Sequence, residues 1–110
     1  MEEVELLSLP DVAERLGIPV NRVHQALREG ELVAVTEHGV RRVPVLLLQD
    51  GAIVKSLRSV ITQLRDAHFS DDEIVSWLFR TDETLAGAPI EWLRAGRGAD
   101  VRRQAQLAGF

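Results

Sequence analysis

Between residues 9 and 28 the chain carries two short amphipathic patterns on either side of a Gly-Ile-Pro corner, and this arrangement restricts the possible folds most. The first pattern follows Ser8, with Pro10 and Asp11 in its first turn, as expected for a capped helix. Gly17 then supplies a residue that readily adopts the left-handed conformation at a helix end. The second pattern places four apolar residues on one face before Gly30: Val20, Val23, Ala26 and Leu27. Two short helices joined by a glycine-containing turn are predicted, which is the helix-turn-helix arrangement.

After Gly30 the pattern changes to that of β-strands. Residues 32–35 and the valine- and leucine-rich residues 40–48 flank a polar turn that contains His38 and Gly39, and this predicts a β-hairpin. Pro44 cannot donate a hydrogen bond to a ladder, so it indicates an edge or a bulge. A hairpin in this place would be the wing of a winged helix-turn-helix.

The rest of the chain is predicted to be helical after a turn at residues 49–51. A helix over residues 56–68 has one apolar face: Leu57, Val60, Ile61, Leu64 and Ala67. Ser70 and Glu73 have the spacing of a capping box that opens a second helix, and Asp71 and Asp72 suit its first turn because the helix dipole favours acids there. Residues 81–89 predict a loop, followed by short helices over 90–95 and 99–107.

The predicted fold class is therefore mainly α with a small β-hairpin. We expect an acidic N-terminal tail at residues 1–7, a winged helix-turn-helix at 8–52 and a helical C-terminal module at 53–110. The chain has 110 residues, of which 45% are apolar and 27% charged, as in ordered globular proteins. The longest apolar run, residues 45–48, is too short to cross a bilayer, and the acidic start does not resemble a signal peptide, so we expect a cytoplasmic protein without a membrane partner.

Catalytic and metal-binding patterns are missing from the sequence. It has no cysteine, which excludes disulfides and thiolate metal sites, and the spacing of His24, His38 and His68 matches no zinc pattern. No nucleophile elbow or glycine-rich phosphate loop occurs. We therefore predict no enzymatic activity, no metal and no cofactor. Three aromatic residues suit either the core or a partner-binding patch: Trp77, Phe79 and Trp92.

The outward face of the second helix carries side chains that can recognise double-stranded DNA. Asn21 and Gln25 are four residues apart, and each can pair bidentately with adenine, while Arg22 or Arg28 can bind guanine or phosphate. In the wing, Arg41 and Arg42 are adjacent, so on a strand only one of them can face the DNA. The candidate DNA-binding residues are Asn21, Arg22, His24, Gln25, Arg28, Arg41 and Arg42.

Charge opposes this interpretation in part. The net charge is −4 and the pI about 5.3, whereas phosphate binding favours a basic surface. An ordinary solvated helix face is the alternative. If DNA binds, the acidity predicts weak, salt-sensitive binding, and the lack of a coiled-coil seam predicts a monomer or a weak dimer.

Two stretches carry a resemblance to known families. LLSLPDVAERLGIPVNRVHQALREGELVAV resembles the start of excisionase-like and MerR-like winged-helix domains, and VPVLLLQDGAIVKSL with ITQLRDAHFSDDEIVSWLF resembles an actinobacterial family of DNA-binding proteins with a helical C-terminal domain. The resemblance implies a transcriptional regulator or nucleoid-associated factor, with Asn21, Arg22, Gln25 and Arg28 in the recognition helix and the two wing arginines beside it. Pro19 departs from the family pattern, which usually has Ser or Thr as the N-cap.

The C-terminal stretch LFRTDETLAGAPIEWLRAGRGADVRRQAQL also resembles the toxin-binding tail of Xre/MbcA/ParS-type antitoxins. This resemblance implies an alternative function, in which an antitoxin-like or adaptor protein binds a protein partner through its C-terminal module. The module could equally serve only to complete the core.

Overall fold

A computed structural model describes residues 4–83 and 85–109. These residues form short strands and helices in the following order: β1 (Leu6–Leu7), α1 (Leu9–Leu16), α2 (Val20–Arg28), β2 (Val35–Glu37), β3 (Val40–Pro44), a 3-10 turn (Val45–Leu47), β4 (Leu48–Gln49), β5 (Ala52–Ile53), α3 (Leu57–Asp66), α4 (Asp71–Phe79), α5 (Pro89–Arg94) and α6 (Gly98–Ala108). The mainly α fold with a small hairpin and a helical C-terminal part is confirmed.

The helix-turn-helix forms as the sequence predicts. The Ser8 hydroxyl accepts a hydrogen bond from the Asp11 amide at 3.2 Å, and Gly17 ends α1 with φ 68°. Pro19 precedes α2 without a side-chain cap, as the sequence indicates. Beyond α2 the chain turns at Gly30, whose φ is 76°. Short-range capping signals therefore determine where both helices begin and end.

The sheet has one more strand than the sequence predicts. Its order is β1-β3-β2, all antiparallel, with Leu6 opposite Pro44 and Val35 opposite Arg42. Leu6 and Leu7 were expected in the acidic tail but pair with β3, because both apolar side chains gain burial against the sheet.

The prediction that Pro44 marks an edge or a bulge is wrong, since it ends the central strand in regular register. The next residue, Val45, donates its amide to the Glu5 carbonyl on the β1 side at 2.9 Å. Amides alternate in direction along a strand, so the Pro44 nitrogen faces the other side, where β2 has already ended. The missing N–H therefore leaves no ladder bond unmade.

The strands are shorter than the apolar runs that suggested them. Residues 32–34 are buried but lie outside any strand, because this segment leads from α2 into the wing beneath the other elements. Pro44 is followed by the 3-10 turn instead of a continued strand. The predicted turn at residues 49–51 joins a second small hairpin of β4 and β5, with Asp50 and Gly51 at positive φ.

The C-terminal helices follow the predicted order with small shifts at their ends. The capping box of α4 is present: the Ser70 hydroxyl accepts from the Glu73 amide at 3.2 Å, and the Ser70 amide donates to the Glu73 carboxylate at 2.8 Å. The last helix begins at Gly98, one residue earlier than predicted.

A single apolar core runs through both halves of the chain. Buried residues from Leu7 and Val12 in the first half join Leu57, Ile74 and Val101 in the second. Trp77, Phe79 and Trp92 are partly buried against this core, which favours the core interpretation of the aromatic residues.

At the junction between the halves, the Arg94 guanidinium donates to the carbonyls of Leu46 and Leu48 at 2.9 and 2.7 Å. The Gln49 amide in turn donates to the Arg94 carbonyl at 3.2 Å. These bonds fasten the C-terminal helices to the end of the winged helix-turn-helix.

Helices α3 and α6 approach each other closely at Gly98. A Cβ added there would lie 2.6 Å from the Ser56 Cβ, and the Ser56 hydroxyl accepts a hydrogen bond from Arg102 at 3.0 Å. Ser56 itself has φ 70°, a conformation that favours glycine.

We expect Gly98→Ala to lower the free energy of unfolding by about 1–3 kcal/mol, because the added methyl overpacks this contact. Ser56→Gly removes the obstructing side chain and relieves the positive φ, so the Gly98→Ala substitution should cost clearly less in that background. Urea unfolding of the four proteins of this double-mutant cycle measures the coupling. Equal costs in both backgrounds would show that the α3–α6 contact does not restrict residue 98.

The α4 capping box predicts an acid-sensitive contribution to stability. The hydrogen bonds from the Ser70 backbone amide and the Ser70 side chain hold the pKa of Glu73 below its ordinary value of 4.5. A carboxyl whose pKa is lower in the folded state stabilises the protein above its unfolded pKa, and this stabilisation is lost as the pH falls through the folded pKa. The stability advantage of the native chain over Glu73→Gln should therefore shrink below pH about 4.5, as urea midpoints across the acid range can measure. An advantage that does not change with pH would contradict this assignment.

Candidate nucleic-acid interface

The buried face of α2 determines which side chains point outward. Val23, Ala26 and Leu27 are buried, and α2 packs against α1. On the remaining surface, Asn21, Arg22 and Arg28 are exposed, while His24 and Gln25 are half-buried. The five predicted residues of the second helix thus share one element and lie outside its core-facing stripe.

Two of these side chains are held by neighbouring carboxylates. The Gln25 amide donates to Glu29 at 2.8 Å. The Arg22 Nη1 lies 3.8 Å from one oxygen of Glu31, whose other oxygen lies 3.9 Å from the Arg58 Nη1 on α3. Glu31 therefore holds one arginine from each half of the protein.

Other cations on this surface lack such partners. Across residues 4–83 and 85–109, Arg28 and Arg41 form no side-chain hydrogen bond or ion pair, and the same holds for Asn21. These side chains are available to an external ligand without breaking an internal contact.

The wing presents its two arginines on opposite faces of β3, as strand geometry predicts. Arg41 is exposed and lies opposite Thr36. Arg42 is paired with Glu37, its Nε 3.9 Å from the carboxylate. In the part of the chain that the structure describes, no hydrogen bond or ion pair joins these arginines to α2.

Sequence reasoning missed three residues at this surface. Val20 was assigned to the apolar face of α2 but is 42% exposed, because it begins the helix beyond the packed stripe. Val40, at the wing tip, is 51% exposed. Arg58 is distant in sequence, and no local signal connects it with Arg22.

The first turn of α4 contacts both α2 and the wing. Arg65 donates through Nη2 to the Leu27 carbonyl at 3.2 Å and to Asp71 at 3.0 Å. The next residue, Asp72, accepts a hydrogen bond from the Thr36 amide of β2 at 3.2 Å. Helix capping therefore explains Glu73, whereas Asp71 and Asp72 make long-range contacts that the dipole argument does not predict.

Other kinds of site find little support in the described residues. No group of three or more histidine or acidic side chains is placed there to hold a metal ion. None of the described helices is long and apolar enough to span a membrane.

Comparisons with known proteins agree with this architecture. One family model, "DNA-binding protein Rv2175c, wHTH domain", matches residues 1–48, and a second, "Rv2175c C-terminal domain of unknown function", matches residues 54–109. DNA-binding protein Rv2175c of Mycobacterium tuberculosis is 39% identical over 115 residues, which cover 93% of this chain and 79% of that protein. An NMR structure of Rv2175c has a TM-score of 0.90 at 36% identity and covers 100% of this chain and 84% of its own. The chain therefore belongs to the Rv2175c family, which confirms its predicted place in an actinobacterial family of winged helix-turn-helix proteins.

Proposed function

We propose that this protein binds double-stranded DNA with α2 in the major groove and the wing on the phosphate backbone, and acts as a non-enzymatic transcriptional regulator or nucleoid-associated protein in the cytoplasm. The carrying observation is the outer face of α2, where Asn21 and Arg28 have no internal partner within a winged helix-turn-helix. The name of the Mycobacterium tuberculosis relative, a DNA-binding protein, supports the same function.

The side chains of α2 have complementary chemistry for base edges. In a helix-turn-helix the first residues of the second helix contact bases in the major groove. Asn21 can accept and donate to one adenine, and Gln25 can do so once it leaves Glu29. The exposed methyl groups of Val20 suit the C5-methyl of thymine. This set favours sites that contain A·T pairs.

The arginines divide into available and restrained groups. Arg28 and Arg41 can bind guanine or phosphate directly, whereas Arg22 and Arg42 must first leave Glu31 and Glu37. His24 is half-buried beside the contact face and contributes at most at its border. Together with the net charge of −4, these internal pairs predict modest affinity that falls as salt rises.

The first test replaces the α2 contact face. We expect the variant Arg22→Ala, Gln25→Ala, Arg28→Ala to lose most DNA affinity, and its residual binding to depend less on salt, by up to about two units in the slope of log K against log salt for two lost phosphate contacts. Fluorescence anisotropy with a mixed genomic duplex pool at two or more salt concentrations measures both quantities.

The matched control is Arg80→Ala, Arg103→Ala, Gln106→Ala, which removes the same charge and the same number of polar groups from exposed positions in the C-terminal helices. It should retain most of the affinity. Equal loss in both variants would reduce the effect to net charge. No binding by the native chain at low salt would contradict the proposal and direct the search to protein partners of the C-terminal module.

The second test concerns Glu31. Glu31→Gln removes the carboxylate between Arg22 and Arg58, so both guanidinium groups become available to phosphate. We expect DNA affinity to rise about twofold to fivefold, from the modest free energy of exposed ion pairs. Glu14→Gln, on the exposed face of α1, removes the same charge without releasing an arginine and should have a smaller effect in the same titration. Equal gains would show that Glu31 acts only through net charge.

A further inference from the structure

We propose that the first turn of α4 is a positioning device that fixes the wing relative to α2 for DNA binding. The inference rests on the proposed function and assigns a role to the C-terminal domain. Its residues are Asp71 and Asp72, adjacent in the chain, of which one is fastened to α2 through Arg65 and the other directly to β2.

On the wing side, the contact restrains an edge strand. The strand β2 lies at the outside of the sheet, and Thr36 is opposite Arg41 between the pairs Val35–Arg42 and Glu37–Val40. The amide of such a residue points away from β3 and has no ladder partner. Asp72 accepts it at 3.2 Å. A two-stranded ribbon is only marginally stable alone, so this anchor holds the wing against α4.

On the helix side, the contact fixes the end of α2. The Leu27 carbonyl belongs to the last turn, where carbonyls lack partners within the helix and a cation is favoured by the helix dipole. Arg65 supplies both a donor and a positive charge. Asp71 accepts from both Nε and Nη2 of Arg65, at 3.3 and 3.0 Å, and thereby orients the guanidinium.

The two anchors move as one unit because they are consecutive residues in a helical turn that the capping box of Ser70 and Glu73 holds. A winged helix must place its recognition helix in a groove while its wing reaches the backbone of the same duplex. A fixed distance and angle between the two elements lowers the ordering cost of binding. The C-terminal helices thus contribute to affinity without touching DNA.

The decisive test uses the sign of a charge change. Asp72→Ala removes a negative charge, so electrostatics alone predicts tighter DNA binding. Loss of positioning predicts weaker binding, about threefold to tenfold for one hydrogen bond of ordinary net strength. Asp72→Asn removes the charge but keeps an oxygen that can accept from Thr36, so it should bind at least as tightly as the native chain. Asp66→Ala, an exposed acid at the end of α3, is the control for charge and should not weaken binding.

A second readout follows the wing in the free protein. In Asp72→Ala we expect faster hydrogen exchange at the Thr36 amide and greater mobility of the wing amides by 15N relaxation, while Asp72→Asn and Asp66→Ala resemble the native chain. Unchanged wing amides, or a mobile wing with DNA affinity equal to or above that of the native chain, would overturn the inference. If the native chain itself fails to bind DNA, the proposed function fails, and the relaxation data alone decide whether α4 restrains the wing.

Discussion

The burial of one continuous apolar core across the two halves of the chain is the constraint on which the structure depends. The winged helix-turn-helix has strands of two to five residues and helices of eight and nine, too little to enclose a core of ordinary size. Its inner surface is completed by α3 and α4. Arg94 strengthens this union, because its guanidinium satisfies two carbonyls at the end of the winged helix-turn-helix.

This dependence explains why α2 can present such a polar face. Isolated helices of nine residues are unstable in water, and α2 also lacks a side-chain cap at Pro19. Its stability comes from packing against α1 and from Arg65 at its last turn. The outer residues are therefore free to be chosen for contact with a ligand, and the C-terminal half supports the surface from behind.

Signals that act over a few residues predicted much of this fold. Ser8 with Asp11, Gly17, and the capping box of Ser70 and Glu73 place helix ends through hydrogen bonds and backbone preferences that are local in sequence. They were correct to within a residue or two. The His38–Gly39 turn similarly places the wing, with both residues at positive φ.

Contacts between distant residues could not be predicted in this way. Pairing of Leu6 with Pro44 depends on the whole sheet, so β1 was taken for part of a tail. Arg58 meets Glu31, and Asp72 meets Thr36, only because α3 and α4 pack on the winged helix-turn-helix. The candidate residues on α2 and the wing were accessible to sequence reasoning, whereas the carboxylates that restrain them were not.

Glu31 gives the DNA-facing surface a particular thermodynamic character. Its two oxygens hold Arg22 and Arg58 as a phosphate group would, so the protein carries a substitute for its proposed ligand. Binding at these arginines then exchanges one fixed anion for another, and fewer salt ions leave the DNA per arginine engaged than in a protein whose arginines start out solvated only. A surface of this kind discriminates by how well the incoming phosphates match the geometry of the carboxylate they displace, more than by the attraction of opposite charge.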